Sequence, residues 1–417
     1  MVKKRVGIIG GGAAGLFSAC LLKRFSNNKD DIEITILEKN PVPGKKLTLT
    51  GHGRCNITNR KNASELKKGY HEADNFLYPA LKEFGPEDVI SFFENELGLR
   101  VKEEDNNRIF PVCDSATKVR DTIISYISDC TKILCDFTVL DINKTSDFEV
   151  RTSKGNLSFD CIILACGGKS FPKTGSTGDS YKFAASFGHT VIPVSAALAS
   201  VRADAVSAML TGSLSGVSLT ANTSVYCKDR KTASVCGEMM FADFGLTGPA
   251  IMELSREIPP DITDMSIWTE LDLVPSMSDE QFDLELQKLI RNHPDSKITT
   301  LLSKFVPASV AYEICSATGV SELYAQNFSK ENRKKTAKVI KHLKIGLDRA
   351  PSLETAYVTR GGVSLKEIDR KSYRSRLVSG LYIIGEAIDI DGVSGGYNLQ
   401  ACMSEAYMAV KDILGLS

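Results

Sequence analysis

The apolar positions divide the chain into stretches of different texture. Arg5–Ile9 and Ile32–Leu37 are nearly continuous apolar runs of strand length, and between them Leu16, Ala19, Cys20 and Leu22 recur at helical spacing. The pattern predicts a strand–turn–helix–strand unit, with a polar loop at 27–31 and Glu38 at the end of the second strand. Phe76, Leu77, Leu81, Val89, Ile90, Phe92, Phe93 and Leu97 predict helices across 75–103, and Thr117–Asp129 reads as a further amphipathic helix. Lys132–Asn143, Phe148–Arg151 and Leu157–Cys166 read as strands, the last running into Gly167-Gly168. This is the alternation of an α/β fold with a largely parallel sheet.

The texture changes near Pro193. From there to Val274 the chain reads as short strands rich in Ser, Thr and Val, among them Leu214–Thr220 and Thr223–Cys227, with no strong helical period before Pro249. Residues 278–340 are charged, leucine-spaced and helical in pattern. After Pro351 a strand returns at Gly380–Gly385, and a helix closes the chain over Leu399–Leu414. The expected organisation is an α/β domain of 1–192 and 346–417, interrupted by a β-barrel-like domain (193–277 and 336–345) and a helical domain (278–335).

Composition narrows the function. The chain has 417 residues, enough for two or three domains, with 42% hydrophobic and 24% charged residues. Fifty-one basic residues balance fifty-one acidic ones, so no general nucleic-acid or anionic-membrane surface is expected, and Arg333-Lys334-Lys335 reads as a solvated helix face. The apolar runs are far short of a membrane span, and Val6–Ile9 is too short for a signal peptide, so the expected location is the cytoplasm. Eleven cysteines are scattered without metal-ligand or redox-pair spacing, which reads as reduced thiols and no metal.

The chemistry-bearing motif is Gly10-x-Gly12-x-x-Gly15, set between strand and helix. Gly10 permits the turn, Gly12 lets a pyrophosphate approach the backbone, and Gly15 lets helix and strand pack closely. Glu38, 23 residues beyond Gly15 at the end of the next strand, can accept from an adenosine ribose. The late return of an apolar strand ending in Gly385-Glu386, together with Asp160–Gly168, resembles glutathione-reductase-type flavoproteins and favours FAD over NAD as the resident dinucleotide.

The chain also resembles a narrower group, the BaiN/YhiN-like NAD(P)/FAD-dependent oxidoreductases, which include aminoacetone oxidase-like flavoproteins. The resemblance is carried by Val6–Leu16, Gly44–Leu47, Gly53-Arg54-Cys55-Asn56-Ile57-Thr58-Asn59, Arg108–Pro111, Gly175–Asp179, Gly248–Ala250, Gly361–Val363 and Asp391–Gln400. It implies a glutathione-reductase-type Rossmann FAD domain interrupted by a β-barrel-like and a helical insert. Taken with the fingerprint, it implies cofactor contacts at Gly10, Gly12, Ala13, Ala14, Gly15, Glu38, Lys39, Lys46 and Leu47. It implies others at Gly53, Arg54, Asn56, Thr58, Asn59, Val139 (at the adenine), Ala165, Gly167, Gly385, Glu386, Asp391, Gly395, Gly396, Asn398 and Leu399. The chain departs from the group's pattern at Thr50-Gly51-His52-Gly53, at Asp243 and at Glu405–Ala409.

Catalytic candidates are Arg54, Cys55 and Tyr397. Arg54 reads either as an anion clamp or as a carboxylate's partner. Cys55 is a redox thiol or packing, Tyr397 a stacking or donor group or core, and His189 a helix cap rather than a base. The resemblance implies an FAD-dependent oxidoreductase in which NAD(P)H, bound transiently, drives reduction of the C=C of a 3-oxo steroid of bile-acid type. The alternatives are an oxygen-using amine oxidase and a flavin-bound RNA-modification or assembly factor. A small-molecule substrate is the expected partner.

Overall fold

The computed structural model describes residues 3–26, 31–260 and 267–416. Met1 and Val2 of the basic start, and residues 27–30 of the expected polar loop, lie outside them. The chain divides into two compact units, one formed by residues up to Ser195 and from Val358 onward, the other by Ala196–Tyr357.

The first unit is built on a five-stranded parallel sheet. β1 (Lys4–Ile9) lies at its centre, α1 (Ala13–Phe25) follows the glycine turn, and β2 (Ile32–Leu37) pairs with β1 from Lys4↔Ile32 to Ile9↔Leu37. The order across the sheet is Leu381–Ile383, Cys161–Leu164, β1, β2, Thr131–Leu134. Val6, Ile8, Ile162, Ile163 and Leu164 are fully buried, as expected of strands covered on both faces. The C-terminal helix, Tyr397–Leu414, packs along α1, so the last residues of the chain complete the layer begun by the first.

Two expected strands are each divided in two. Leu157–Cys166 breaks at Asp160, whose carboxylate accepts from the Arg5 backbone N–H and guanidinium, at 2.6 Å in each case. Gly155–Phe159 therefore joins Val139–Lys144 and Phe148–Thr152 in a separate antiparallel sheet, and only Cys161–Leu164 enters the parallel one. Lys132–Asn143 breaks the same way around Asp136, a non-glycine residue at φ +57°. In the expected helical region Asp74–Glu83 and Pro86–Ser91 are helices, but Val101–Glu104 is a strand.

The second unit carries a six-stranded antiparallel sheet in the order Val201–Arg202, Gly245–Thr247, Arg230–Ala242, Ser218–Cys227, Ile267–Asp272, Leu343–Gly346. Its edges meet: Ala203 bridges Leu347, the Asp204 N–H donates to Gly346 at 2.8 Å and the Asp348 N–H to Arg202 at 3.1 Å, so the sheet closes on itself. A helix the pattern did not anticipate, Ser207–Ser213, precedes the long hairpin. Asp279–Asn292, Ile298–Leu302, Ala308–Thr318 and Lys330–Lys341 are helices, the first entered through a capping box of Ser278 and Gln281. Among the described residues no helix is long and apolar enough to cross a membrane, and no group of three or more His, Cys, Asp or Glu side chains is placed to hold a metal. All eleven cysteines are unpaired.

Candidate dinucleotide site

The glycine turn is shaped by contacts that exclude a side chain. Gly10 has φ +105°, and a Cβ there would stand 2.5 Å from the Ala165 carbonyl oxygen. A Cβ on Gly15 would stand 2.0 Å from the Gly10 carbonyl, so only glycine lets α1 start this close to β1. Gly12 differs: the nearest atom to a Cβ there is the Ala165 oxygen at 3.9 Å, which leaves room in front of its backbone. α1 begins there with no side-chain cap, at Ala13 and Ala14. Its first N–H groups and the positive end of its dipole therefore face that room, which fits a pyrophosphate.

Glu38 is buried at the end of β2, at 7% exposure. One carboxylate oxygen accepts the Gly11 N–H at 2.8 Å, and the other accepts the Asn40 N–H at 2.8 Å and its side-chain amide at 2.7 Å. A carboxylate offers about four lone-pair positions, so three are filled and one is left for a ribose hydroxyl. The side chain sequence reasoning treated as a ligand is therefore also a brace for the turn. Lys39, next to it, pairs with Asp179 at 2.6 Å.

Lys46 and Glu386 lie together, with Nζ to Oε2 at 2.6 Å. The other oxygen of Glu386 accepts from Ser170 and from the N–H and hydroxyl of Thr359. Leu47 is buried beside this network, and Gly167 ends the Cys161–Leu164 strand past Ala165 at φ +75°. Glu386 is thus the centre of a polar cluster that fixes the chain on both sides of the sheet's carboxyl edge. Val139 stands apart, at the start of its own antiparallel strand, paired with Thr152.

The second glycine-rich run interlocks with residues 53–59. A Cβ on Gly396 would meet Thr58 backbone atoms at 2.5 Å. The Asn59 amide donates to Gly395 at 3.1 Å, the Asn56 oxygen accepts from the Gly396 N–H at 3.1 Å, and Thr58 donates to Gln400. Asn398 clasps Gly392 in both directions, accepting its N–H at 2.9 Å and donating to its carbonyl at 2.8 Å. The C-terminal helix, with half-buried Leu399 in its first turn, also starts without a side-chain cap, at Gly396 with φ +95°.

Of the three catalytic candidates, each has its polar group engaged. Arg54 bridges Glu104 and Asp114 and lies 4.1 Å from the centre of the Phe110 ring. Cys55 is 1% exposed, and burial pushes its thiol up to about 12, so at neutral pH it is not a thiolate. The Tyr397 ring is buried; its hydroxyl accepts from Lys61 at 3.0 Å and its carbonyl from the Tyr70 hydroxyl at 2.8 Å. His189 is buried against Ser375 and Glu367, and burial holds its pKa below the ordinary value.

Gly385 ties the two halves together. At φ +70°, a Cβ on it would come within 3.0 Å of the Ala14 Cβ and 3.6 Å of the Cys402 Sγ. The first turn of α1 and the second turn of the C-terminal helix thus flank one residue. Its N–H donates to Glu405, a fully buried carboxyl pushed up to about 8 by burial. Two further groups stand out that sequence reasoning passed over. His71 sits 4.0 Å from Asp391, and Asp389 beside them has its pKa raised by burial and then by the Asp391 charge. Nothing in the sequence marks His71, because its distinction is a backbone angle.

The profile described as HI0933-like protein Rossmann domain matches residues 4–412. A 3-dehydro-bile acid delta(4,6)-reductase of Clostridium scindens is 28% identical over 97% of the chain and 98% of its own length. A ribosomal RNA dihydrouridine synthase of Haemophilus influenzae is 30% identical over 97% of each chain. The solved 3-ketosteroid delta1-dehydrogenase of Sterolibacterium denitrificans superposes over the whole of both chains with a TM-score of 0.53 at 12% identity, a likeness of fold.

Proposed function

The chain belongs to the HI0933-like family and is an FAD-dependent oxidoreductase, and from that premise we propose that it reduces a carbon–carbon double bond conjugated to a carbonyl, with a 3-oxo bile-acid-type steroid as substrate and NAD(P)H as hydride donor. The observation that carries this reading is that Gly385 is flanked by the uncapped first turn of α1 and by the second turn of the C-terminal helix, whose own start at Gly396 is likewise uncapped. FAD, when bound, supplies hydride transfer from the nicotinamide to the electron-poor carbon of the double bond. The start of α1 would hold the pyrophosphate, Gly12 would give it space, and the remaining acceptor position on Glu38 would take a ribose hydroxyl. The start of the C-terminal helix, near Gly395, Gly396 and Asn398, would hold the ring end of the cofactor, where its dipole would favour negative charge. The burial of Cys55 and the carboxylate partners of Arg54 support positioning roles for that loop.

The names of the relatives support the bond type. A 3-oxo-4,6-diene and the uracil ring of uridine share an alkene conjugated to a carbonyl, and both reactions add two hydrogens across it. Uridine in RNA is the second reading. It is favoured by the 30% identical relative and by Lys330, Lys334 and Lys338, which stand exposed at four-residue intervals on one helix. That spacing is about 6 Å.

The test is anaerobic incubation of the holoenzyme with NADH or NADPH and, in parallel, a 3-oxo-4-ene or 4,6-diene bile acid and uridine-containing RNA, with products followed by mass. Gain of two hydrogens on the steroid supports the proposal, and gain on RNA alone replaces the substrate. Reduced flavin that persists with both but is reoxidised by oxygen or an imine overturns it in favour of an amine oxidase.

A further inference from the structure

We propose that His71, held beside Asp391, is the proton donor of this reaction; the inference rests on the reading of the protein as a reductase of conjugated double bonds. Hydride addition supplies one hydrogen and the electron pair, so the α-carbon must gain a proton from elsewhere. The groups first suspected are unsuited to that. Cys55 is buried, Arg54 is held between two carboxylates, and the Tyr397 ring is buried with its hydroxyl on Lys61.

His71 has φ +51° and ψ −124°. That is the first central position of a type II′ turn, which glycine normally occupies. A non-glycine residue costs about 1–3 kcal/mol there, and such outliers persist where the side chain is needed. The turn is also anchored at the rim of the C-terminal helix start. The Gly69 carbonyl accepts from Val393 at 2.9 Å, and Tyr70 donates to the Tyr397 carbonyl at 2.8 Å. Asp391, next to the Gly392 that Asn398 clasps, places its carboxylate 4.0 Å from the imidazole. The His71 side chain is 23% exposed and that of Asp391 5%, so the ring reaches solvent or a ligand while its carboxylate is sheltered. Charged groups on the neighbouring segments include Asp389, which is influenced by the Asp391, Glu72 and Arg360 charges, and Arg360 stands 3.8 Å from Glu72.

The step balances. The β-carbon takes the hydride that originated on NAD(P)H, and the π pair moves toward the carbonyl. The N–H bond of the imidazolium breaks as its proton bonds to the α-carbon. Neutral His71 then regains a proton from water, for a net uptake of NAD(P)H and one proton per double bond.

The test uses anaerobically reduced holoenzyme mixed with a 3-oxo-4-ene steroid in stopped flow, for the native chain and for His71→Gln, His71→Gly and Asp391→Asn. Reoxidation of the flavin by the steroid is expected to fall about 10²–10⁴-fold in both His71 variants. The glycine variant separates chemistry from folding. It relieves the backbone, so it is expected to keep full FAD content and to melt no lower than the native protein. A further readout is binding of the saturated 3-oxo steroid to oxidised holoenzyme, followed by flavin absorbance. Its pH dependence between pH 5 and 8 is expected to disappear in His71→Gln and to shift downward in Asp391→Asn. Native-like reoxidation in both His71 variants overturns the proposal, as does loss of FAD or of thermal stability in His71→Gly. If the native enzyme reduces no carbon–carbon double bond conjugated to a carbonyl, the functional reading itself falls, and this proposal with it.

Discussion

Single residues carry more than one duty here, and substitution can separate them. Glu38 fills three of its acceptor positions with Gly11 and Asn40. Glu38→Ala is therefore expected to weaken FAD binding by about one to two decades and also to cost about 1–3 kcal/mol of stability. Titration of apoprotein with FAD and urea melts read the two effects; unchanged affinity would mean that Glu38 only braces the turn. Cys55→Ser is expected to keep flavin reduction by NAD(P)H, because the buried thiol is no nucleophile at neutral pH. Glu405 makes a sharper case. The folded chain holds its proton to about pH 8, whereas an unfolded glutamic acid releases it near 4.5. Its contribution to stability is thus full below about pH 4.5 and is lost as pH rises toward 8, on the order of 5 kcal/mol in all. Glu405→Gln keeps an acceptor for the Gly385 N–H without a charge. Its urea midpoint is expected to match the native protein at pH 5 and to exceed it at pH 9; parallel curves would show that Glu405 ionises in the folded state without cost.

At the scale of elements, legibility followed periodicity. β1, α1, β2 and the C-terminal helix stand where the apolar pattern put them, because each buries a continuous face against the others. The pattern failed where one polar residue changes the sheet a strand belongs to. Asp160, fixed by Arg5, cuts the expected strand Leu157–Cys166, and Asp136 divides Lys132–Asn143 at φ +57°. The helix Ser207–Ser213 is polar and short, with Thr211 its one buried residue, so no period announced it. Of the site, the glycine turn and Glu38 were readable because their spacing is set by backbone geometry. His71 and the burial of Glu405 arise from tertiary packing and left no local signature. The basic run Arg333-Lys334-Lys335 reads as a solvated helix face, yet Arg333 pairs with Asp283 at 2.7 Å. Lys341, 3% exposed, donates to Asp272 at 2.7 Å and to the Val274 and Met277 carbonyls. Lys341→Met would strand three acceptors, the Asp272 carboxylate and the Val274 and Met277 carbonyls, at the junction of helix and sheet. It is expected to cost about 3–5 kcal/mol in a chemical melt, against within about 0.5 kcal/mol for Lys334→Met on the exposed face.

At the scale of the whole molecule, the two large hydrophobic cores of the described residues divide the chain. One lies under the parallel sheet, α1 and the C-terminal helix; the other fills the closed antiparallel sheet and its helices. Every residue proposed to hold FAD belongs to the first unit. The only tryptophan, Trp268, belongs to the second, where it stacks on Tyr226 with ring centres 3.9 Å apart beneath Lys344. A ligand that binds only the folded form stabilises by RT ln(1 + [L]/Kd), about 2.7 kcal/mol at a hundredfold excess over Kd. That energy belongs to the cooperative unit containing the site. In urea, added FAD is accordingly expected to move the loss of bound-flavin signal to higher denaturant while Trp268 emission keeps its midpoint. FMN at equal concentration is expected to move neither, because it lacks the adenosine that Glu38 would take. If Trp268 shifts together with the flavin signal, the two cores unfold as one. If FMN protects as well as FAD, the adenosine end of the site is wrong, and with it the role given to the Gly10–Gly15 turn.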